Sequence, residues 1–233
     1  MQLNAQQQAA QRNLSYLLAE KLGQQILAGE FKAGSILPGE MELGETFGVS
    51  RTAVREAVKI LAAKGMLLPR PRIGTRVMPQ NHWNFLDQEL LTWWMTRENF
   101  DQVMQHFLIL RTSLEPQACS LAAIQADGEQ RAQLTALMAE MRALHDDFDR
   151  ERWIQVDTQY HQLIYASSGN PFLISFSNLF SSVYQSYFRA ITNNEVIKLQ
   201  QHQDIVDAIL VKDAQAAFKA CQTLLGEKNP SSI

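Results

Sequence analysis

Apolar residues recur at helical spacing along most of the chain. Leu14, Leu17, Leu18, Leu22, Ile26 and Leu27 place one apolar stripe on a first helix that stops at Gly29. The run KAGSILPGEMELGETFGVSR then combines a Gly-Ser break, an extended Ile36-Leu37-Pro38 and a short helix over about 39–46 closed by Gly48. Ser50 is placed to cap the next helix, where Val54, Val58, Ile60 and Leu61 form the buried stripe to about Lys64, before Gly65 ends it. From there the period changes. MLLPRPRIGTRVMP holds two short apolar pieces around a Pro- and Gly-bearing turn, which predicts a β-hairpin.

Three helices followed by a hairpin make a winged helix-turn-helix, whose third helix enters the DNA major groove. Beyond it the period is helical throughout, with segments predicted near 86–96, 100–126, 129–148, 151–168, 172–191, 195–211 and 213–226. The expected fold is mostly α: the winged helix-turn-helix followed by an all-α antiparallel helical bundle. The corresponding division is a Gln-rich frayed tail over 1–13, a DNA-binding domain over 14–79, a linker over 80–85 and a helical effector-binding and dimerisation domain over 86–228.

Charge sharpens this division. The chain of 233 residues carries a formal charge of -3, but residues 1–80 hold ten Lys/Arg against six Asp/Glu, so a +4 head precedes a -7 body. Only the head has the sign to meet phosphate. Cys119 and Cys221 lie on apolar helical patterns without paired spacing, which predicts buried free thiols. No secretory leader pattern and no bilayer-length apolar run occurs in the sequence, so a cytoplasmic, nucleoid-associated protein without membrane contact is expected.

Chemistry concentrates in three places. Arg51 and Arg55 lie four apart at the start of the third helix with Thr52 beside them, so one face presents two guanidinium groups suited to guanine O6 and N7. Arg70, Arg72 and Arg76 sit in or beside the hairpin, where Gly74 allows close backbone approach, and read as phosphate or minor-groove contacts. The plainer alternative is a solvated basic helix with charge pairs such as Glu56 with Lys59 or Arg55. In the body, Asp157 and His161 fall at i,i+4 on one helix and His202 lies on a later one, a set able to chelate an ion or to form ordinary packing contacts. Arg111 is suited either to fork onto a ligand carboxylate or to pair with Glu115 four residues on. Tyr160, Tyr184, Tyr187 and Phe188 could line the same cavity or simply pack. His82, His106 and His145 have no partner at ligand spacing, and Trp83, Trp93 and Trp94 read as residues that pin the two domains together.

The string ILAGEFKAGSILPGEMELGETFGVSRTAVREAVKILAAKGMLLPRPRIGTRV strongly resembles the DNA-binding domain of the GntR family of bacterial regulators, over about 14–79. The remainder resembles the helical effector (FCD-type) domain of the FadR subgroup, so the likeness covers almost the whole chain. It implies the same arginines as DNA contacts, although Met41 stands where relatives often carry a basic residue. It also implies a divalent metal such as zinc, held by one aspartate and three histidines. Asp157, His161 and His202 match three of these ligands, while Leu224 occupies the fourth position. Either the three hold a metal whose open positions take water and effector, or the polar trio binds ligand directly. The resemblance places Arg111 against the effector cavity, and NHWNFLDQELLTWW resembles the same stretch in regulators of sugar-acid catabolism.

The expected function is therefore a homodimeric regulator, a repressor in form, that reads palindromic operator DNA and is released by a small carboxylate metabolite such as a sugar acid. A metal-dependent enzyme using Asp157, His161 and His202 is the alternative, but the chain has no HExxH, nucleophile elbow or phosphate loop. A direct metal sensor is disfavoured by Leu224.

Overall fold

The computed structural model describes residues 5–177, 183 and 196–226, with side chains from residue 13 onward. The chain divides into two compact units, Met1–Thr96 and Arg97–Ile233.

The first unit contains α1 (Ala5–Leu27), α2 (Glu40–Phe47), α3 (Arg51–Ala63), β1 (Leu67–Arg70), β2 (Gly74–Val77), a 3-10 turn (Gln80–His82) and α4 (Gln88–Trp94). Helix α1 begins within the stretch expected to be a frayed tail. Its first residues are mainly Ala and Gln, which favour helix and lack breakers; of the apolar stripe, Leu18, Leu22 and Ile26 are buried, while Leu14 and Leu17 are exposed. Ser50 caps α3 as expected, its hydroxyl accepting from the Ala53 N–H at 3.2 Å, and Gly48 ends α2 in the left-handed region at φ +65°. The hairpin pairs Leu67 with Val77 and Arg70 with Gly74 in antiparallel register. Residues 34–37 lie along it, with the Gly34 and Leu37 N–H groups donating to Val77 and Thr75 carbonyls at 2.8 Å each.

One boundary differs from expectation. Helix α4, expected to open the helical bundle, packs against α1, and its Leu90 and Trp93 join Leu18, Leu22, Ile26, Val54, Leu61 and Met66 in one core. Lys64, buried at the end of α3, donates to Asp87 and Glu89 at 2.6 Å each, with its ammonium 5.1 Å above the Trp93 ring. Burial pushes the ammonium pKa down, but the two carboxylates outweigh this and raise it, so the latch stays charged. Trp83 donates from its indole to the Met78 carbonyl at 2.9 Å and packs on the same core. Trp83 and Trp93 thus belong to the N-terminal unit. Helical period alone does not reveal which core a helix serves. Gly65 has a strict role in the same turn: its φ is +75°, and a Cβ there would lie 2.1 Å from the His82 carbonyl oxygen.

The second unit contains α5 (Phe100–Gln125), α6 (Gly128–Asp146), α7 (Arg150–Ser167), a helical stretch over 171–177, α8 (Leu199–Leu210) and α9 (Ala214–Gly226). Among the described residues this unit has no strand, in agreement with an all-helical body. Asp127 and Gln130 form a reciprocal capping box on α6, and Asp149 caps α7 through the Arg152 N–H. Helix α5 is the hub: α7, α8 and α9 all pack on it, and α6 packs on α7 and α8. Leu134, Met138, Met141, Trp153, Ile164, Ile205 and Ile209 supply the apolar filling. No described helix is long and apolar enough to cross a membrane.

Candidate DNA-reading face and buried polar centre

The exposed and buried faces of α3 are cleanly divided. Ala53, Val54, Ala57, Val58 and Leu61 point into the core, which turns Arg51, Thr52 and Arg55 outward to solvent. Neither arginine is idle. Arg55 reaches back to Glu40 at the start of α2, with Nε 2.7 Å from the carboxylate, and Arg51 Nη2 lies 3.2 Å from the Met41 sulfur. Lys59 pairs with Glu56, as the simple helix-surface reading anticipates, at 2.8 Å. Pairs this exposed are worth little in water, so the arginines are held in place without being withheld from a stronger anion.

Arg70, Arg72 and Arg76 are exposed on the hairpin, and Arg72 occupies the tip in a left-handed conformation, φ +63°. Gly74 is glycine for a reason internal to the fold. Its φ is +107°, and a Cβ would meet Ile36 Cγ2 at 2.7 Å, so packing of residues 34–37 against the hairpin explains it without DNA.

In the second unit the structure gathers Arg111 and Glu115 from α5, Asp157, Tyr160 and His161 from α7, and His202 from α8 into one buried centre. Arg111 and Glu115 form the i,i+4 pair, with Nε donating to Oε2 at 2.6 Å and Nη2 to Oε1 at 3.3 Å. Glu115 also receives His161 Nδ1, an interaction that leaves the ring's Nε2 as its acceptor. Burial pushes the Glu115 carboxyl up, but Arg111 and His161 beside it outweigh this and hold it at about 2. Burial, aided by Arg111, lowers the His161 pKa against the opposing pull of Glu115, so the ring is neutral near pH 7.

His202 is oriented in the same manner. Its Nδ1 faces the Lys198 carbonyl at 2.8 Å and carries the proton, and Nε2 faces Asp157 Oδ1 at 3.1 Å. His161 Nε2 is 3.8 Å from the same oxygen. Both Asp157 carboxylate oxygens are fully buried and have no hydrogen-bond partner. Two imidazole lone pairs and an orphaned carboxylate thus converge, with one ligand atom of each within 4.8 Å of the others. Acceptors facing acceptors are stable only with a cation, or an extra proton, between them. The donor set fits a divalent ion.

Tyr160 braces both rings edge-on, with centroids 5.1 Å from His161 and from His202, and its hydroxyl donates to the His202 carbonyl at 2.8 Å. That hydroxyl is committed to positioning a ligand helix. Tyr184, Tyr187 and Phe188 lie outside the described residues. Leu224 is buried on α9 and offers no donor, while its carbonyl accepts from Lys198 at 2.7 Å. Cys119 and Cys221 are free and buried, and burial together with their mutual contact raises the Cys221 thiol. A groove of about 390 Å³ between α6 and α7, lined by Gln133, Leu137, Glu140 and Gln159 among others, contains none of the predicted site residues.

Glu115 is the central residue that sequence reasoning undervalued. Its spacing from Arg111 was visible, but its hold on His161 joins residues 46 positions apart in the chain and has no local signature. Lys198 escaped notice for a different reason: it lies only four residues before His202, but its backbone carbonyl, which any residue would supply, does the work.

An outward arginine pair on the third helix of a winged head, and a buried Asp/His/His centre in a helical body, define the class of ligand-responsive DNA-binding regulators. The chain belongs to the bacterial regulatory proteins of the gntR family, whose model matches residues 15–77, and it carries an FCD domain over residues 107–227. It is 68% identical to the HTH-type transcriptional regulator YieP of Escherichia coli (strain K12) over 97% of this chain and 98% of that protein. It is 33% identical to the galactonate operon transcriptional repressor of the same organism, over 88% of this chain and 90% of that one. Among solved structures, a GntR protein of Streptococcus agalactiae shares the fold with a TM-score of 0.51 at 24% identity, over 91% of this chain and 97% of that one. The protein is a transcription regulator and not an enzyme.

The clamp on Arg111 and His161 generates a testable expectation. Glu115→Ala strands a buried guanidinium and should cost about 3–5 kcal/mol of stability in denaturant unfolding. Because the Glu115 pKa is depressed on folding, its contribution is complete above its ordinary value of 4.5 and is lost as pH falls from there toward about 2. Glu115→Gln should abolish that segment of the acid-stability profile. An unchanged profile in Glu115→Gln would show that this carboxylate does not hold the centre together.

Proposed function

We propose that this protein is a homodimeric repressor that grips a palindromic operator through Arg51, Thr52 and Arg55, with Arg70, Arg72 and Arg76 on the flanking backbone, and that it lets go when a small carboxylate metabolite binds the helical domain. The observation that carries the ligand-sensing half is Asp157: a buried carboxylate without a hydrogen bond, faced by two oriented imidazoles, is a receptor for a cation and not a packing element. Asp157, His161 and His202 would hold a divalent ion such as zinc, which supplies a Lewis-acidic point for an anionic oxygen. Arg111 offers the second positive group in the same centre. A sugar acid, which presents a carboxylate and several hydroxyls, suits this chemistry, and the relative that represses a galactonate operon supports the same class. The acidic balance of the body and the basic balance of the head support a cytoplasmic protein that acts on the nucleoid.

Two units of the head are needed because one recognition helix offers too little surface for tight, specific binding. Light scattering should therefore return about twice the chain mass of 26.4 kDa, and a monomer at micromolar concentration would contradict the palindrome. Arg51→Ala and Arg55→Ala should each cost about 1–3 kcal/mol of operator affinity without altering the melting temperature. Equal binding by both variants in a mobility-shift titration would remove α3 from the groove. In a thermal-shift screen of sugar acids run with and without chelator, a true effector should raise the wild-type melting temperature. His161→Ala should lose that response and the bound metal while keeping operator DNA. Full release by effector in demonstrably metal-free protein would leave a direct polar pocket in place of the metal.

A further inference from the structure

Arg111 stands on a ligand atom of the proposed metal centre. Its Nη2 is 2.9 Å from His161 Nε2, the nitrogen through which His161 faces Asp157, while its Nε keeps Glu115 at 2.6 Å. Since His161 turns Nδ1 toward Glu115, Nε2 carries the ring's single lone pair, and that lone pair serves one partner at a time.

We propose that Arg111 is a resident competitor for the divalent ion, and that its displacement from His161 is what turns it into an anchor for an anionic effector. The inference rests on Asp157, His161 and His202 being the metal ligands. The contacts of the guanidinium have separate fates. Nε holds Glu115, a fully buried partner, and serves as the pivot, with Nη2 reaching the same carboxylate at 3.3 Å. Nη2 gives up His161 and turns that donor capacity toward a second positive charge, an arrangement that repels itself until a carboxylate lies between. Leu224 sharpens the requirement, because it supplies no ligand and leaves an anionic oxygen to complete the set.

Metal and anion therefore bind with positive linkage, and each raises the affinity of the other by the same factor. In the metal-free centre Arg111 occupies the His161 lone pair and is held from a ligand, while Asp157 stays without a hydrogen bond. Arg111 is in this respect a positioning residue whose removal should improve one ligand while weakening its coupling to the other.

The test uses full-length protein stripped by chelator dialysis and titrated with zinc against a chromogenic chelator. Wild type is compared with Arg111→Met and with Arg111→Met/Glu115→Gln, the double variant leaving neither charge of the pair stranded. Melting curves establish that each is folded. Both variants should bind zinc about tenfold or more tightly than wild type, within the usual range of such couplings. Saturating acetate should tighten zinc binding to wild type more than to either variant, where the metal alone holds the anion. Zinc affinity in the folded double variant equal to or below that of wild type overturns the competition and leaves the metal reading standing. Acetate-insensitive zinc binding by wild type overturns the linkage. Absence of zinc binding by wild type and variants alike removes the metal centre and this inference with it.

Discussion

The helical unit depends on how a buried carboxylate, Glu115, is used twice. Oε2 receives Arg111 Nε, and Oε1 receives His161 Nδ1 together with Arg111 Nη2, so a single side chain on the hub helix α5 fixes both a guanidinium and an imidazole tautomer on α7. Everything at the centre follows from that fixation. With Nδ1 committed, His161 can present only Nε2, and Asp157 one turn away then meets an acceptor where a structural carboxylate would meet a donor. His202 repeats the pattern from α8, held by the Lys198 carbonyl and braced by Tyr160. A core that merely needed stability would replace such groups with apolar ones, since buried charge is costly unless perfectly matched. An orphaned carboxylate at full burial is the feature of this centre that packing alone does not explain.

The head follows a different logic. Its stability comes from an apolar core, and its chemistry sits outside that core on side chains whose partners are weak. The exposed Arg55–Glu40 pair illustrates this: it orients the guanidinium at little cost to break. At the centre of the helical unit polar groups are trapped; on the outer face of α3 they are weakly paired and replaceable. A regulator needs both kinds, because DNA must be found and left quickly while the metabolite must be distinguished from many similar ones.

Local chemistry was readable from the residues. Ser50 as a cap, Gly48 and Gly65 as terminators, the hairpin around Arg72 and the i,i+4 placement of Asp157 and His161 all depend on neighbours in sequence, and all appear in the structure. What escaped depends on long-range packing. The choice of core for α4, the double duty of Glu115 and the brace made by Tyr160 join positions tens of residues apart, and no periodicity encodes them; Lys198 acts on His202 only four residues on, but through a backbone carbonyl that any residue would supply. Gly74 is instructive in another way: glycine beside a DNA-facing hairpin invites a functional explanation, yet Ile36 accounts for it.

The Lys64 latch bears on how the head can be isolated. A fragment ending at residue 77, where the hairpin and the gntR-family match both finish, would remove Asp87, Glu89 and Trp93 together. That cut strips a buried ammonium of both counter-ions and of its aromatic cover, and uncovers the faces of Leu22 and Leu61 that Leu90 and Trp93 share a core with. The compact unit that holds this core is thus longer than the family match and runs to Thr96. Swapping heads between regulators at the hairpin would join two half-finished cores; swapping them after α4 would exchange complete ones.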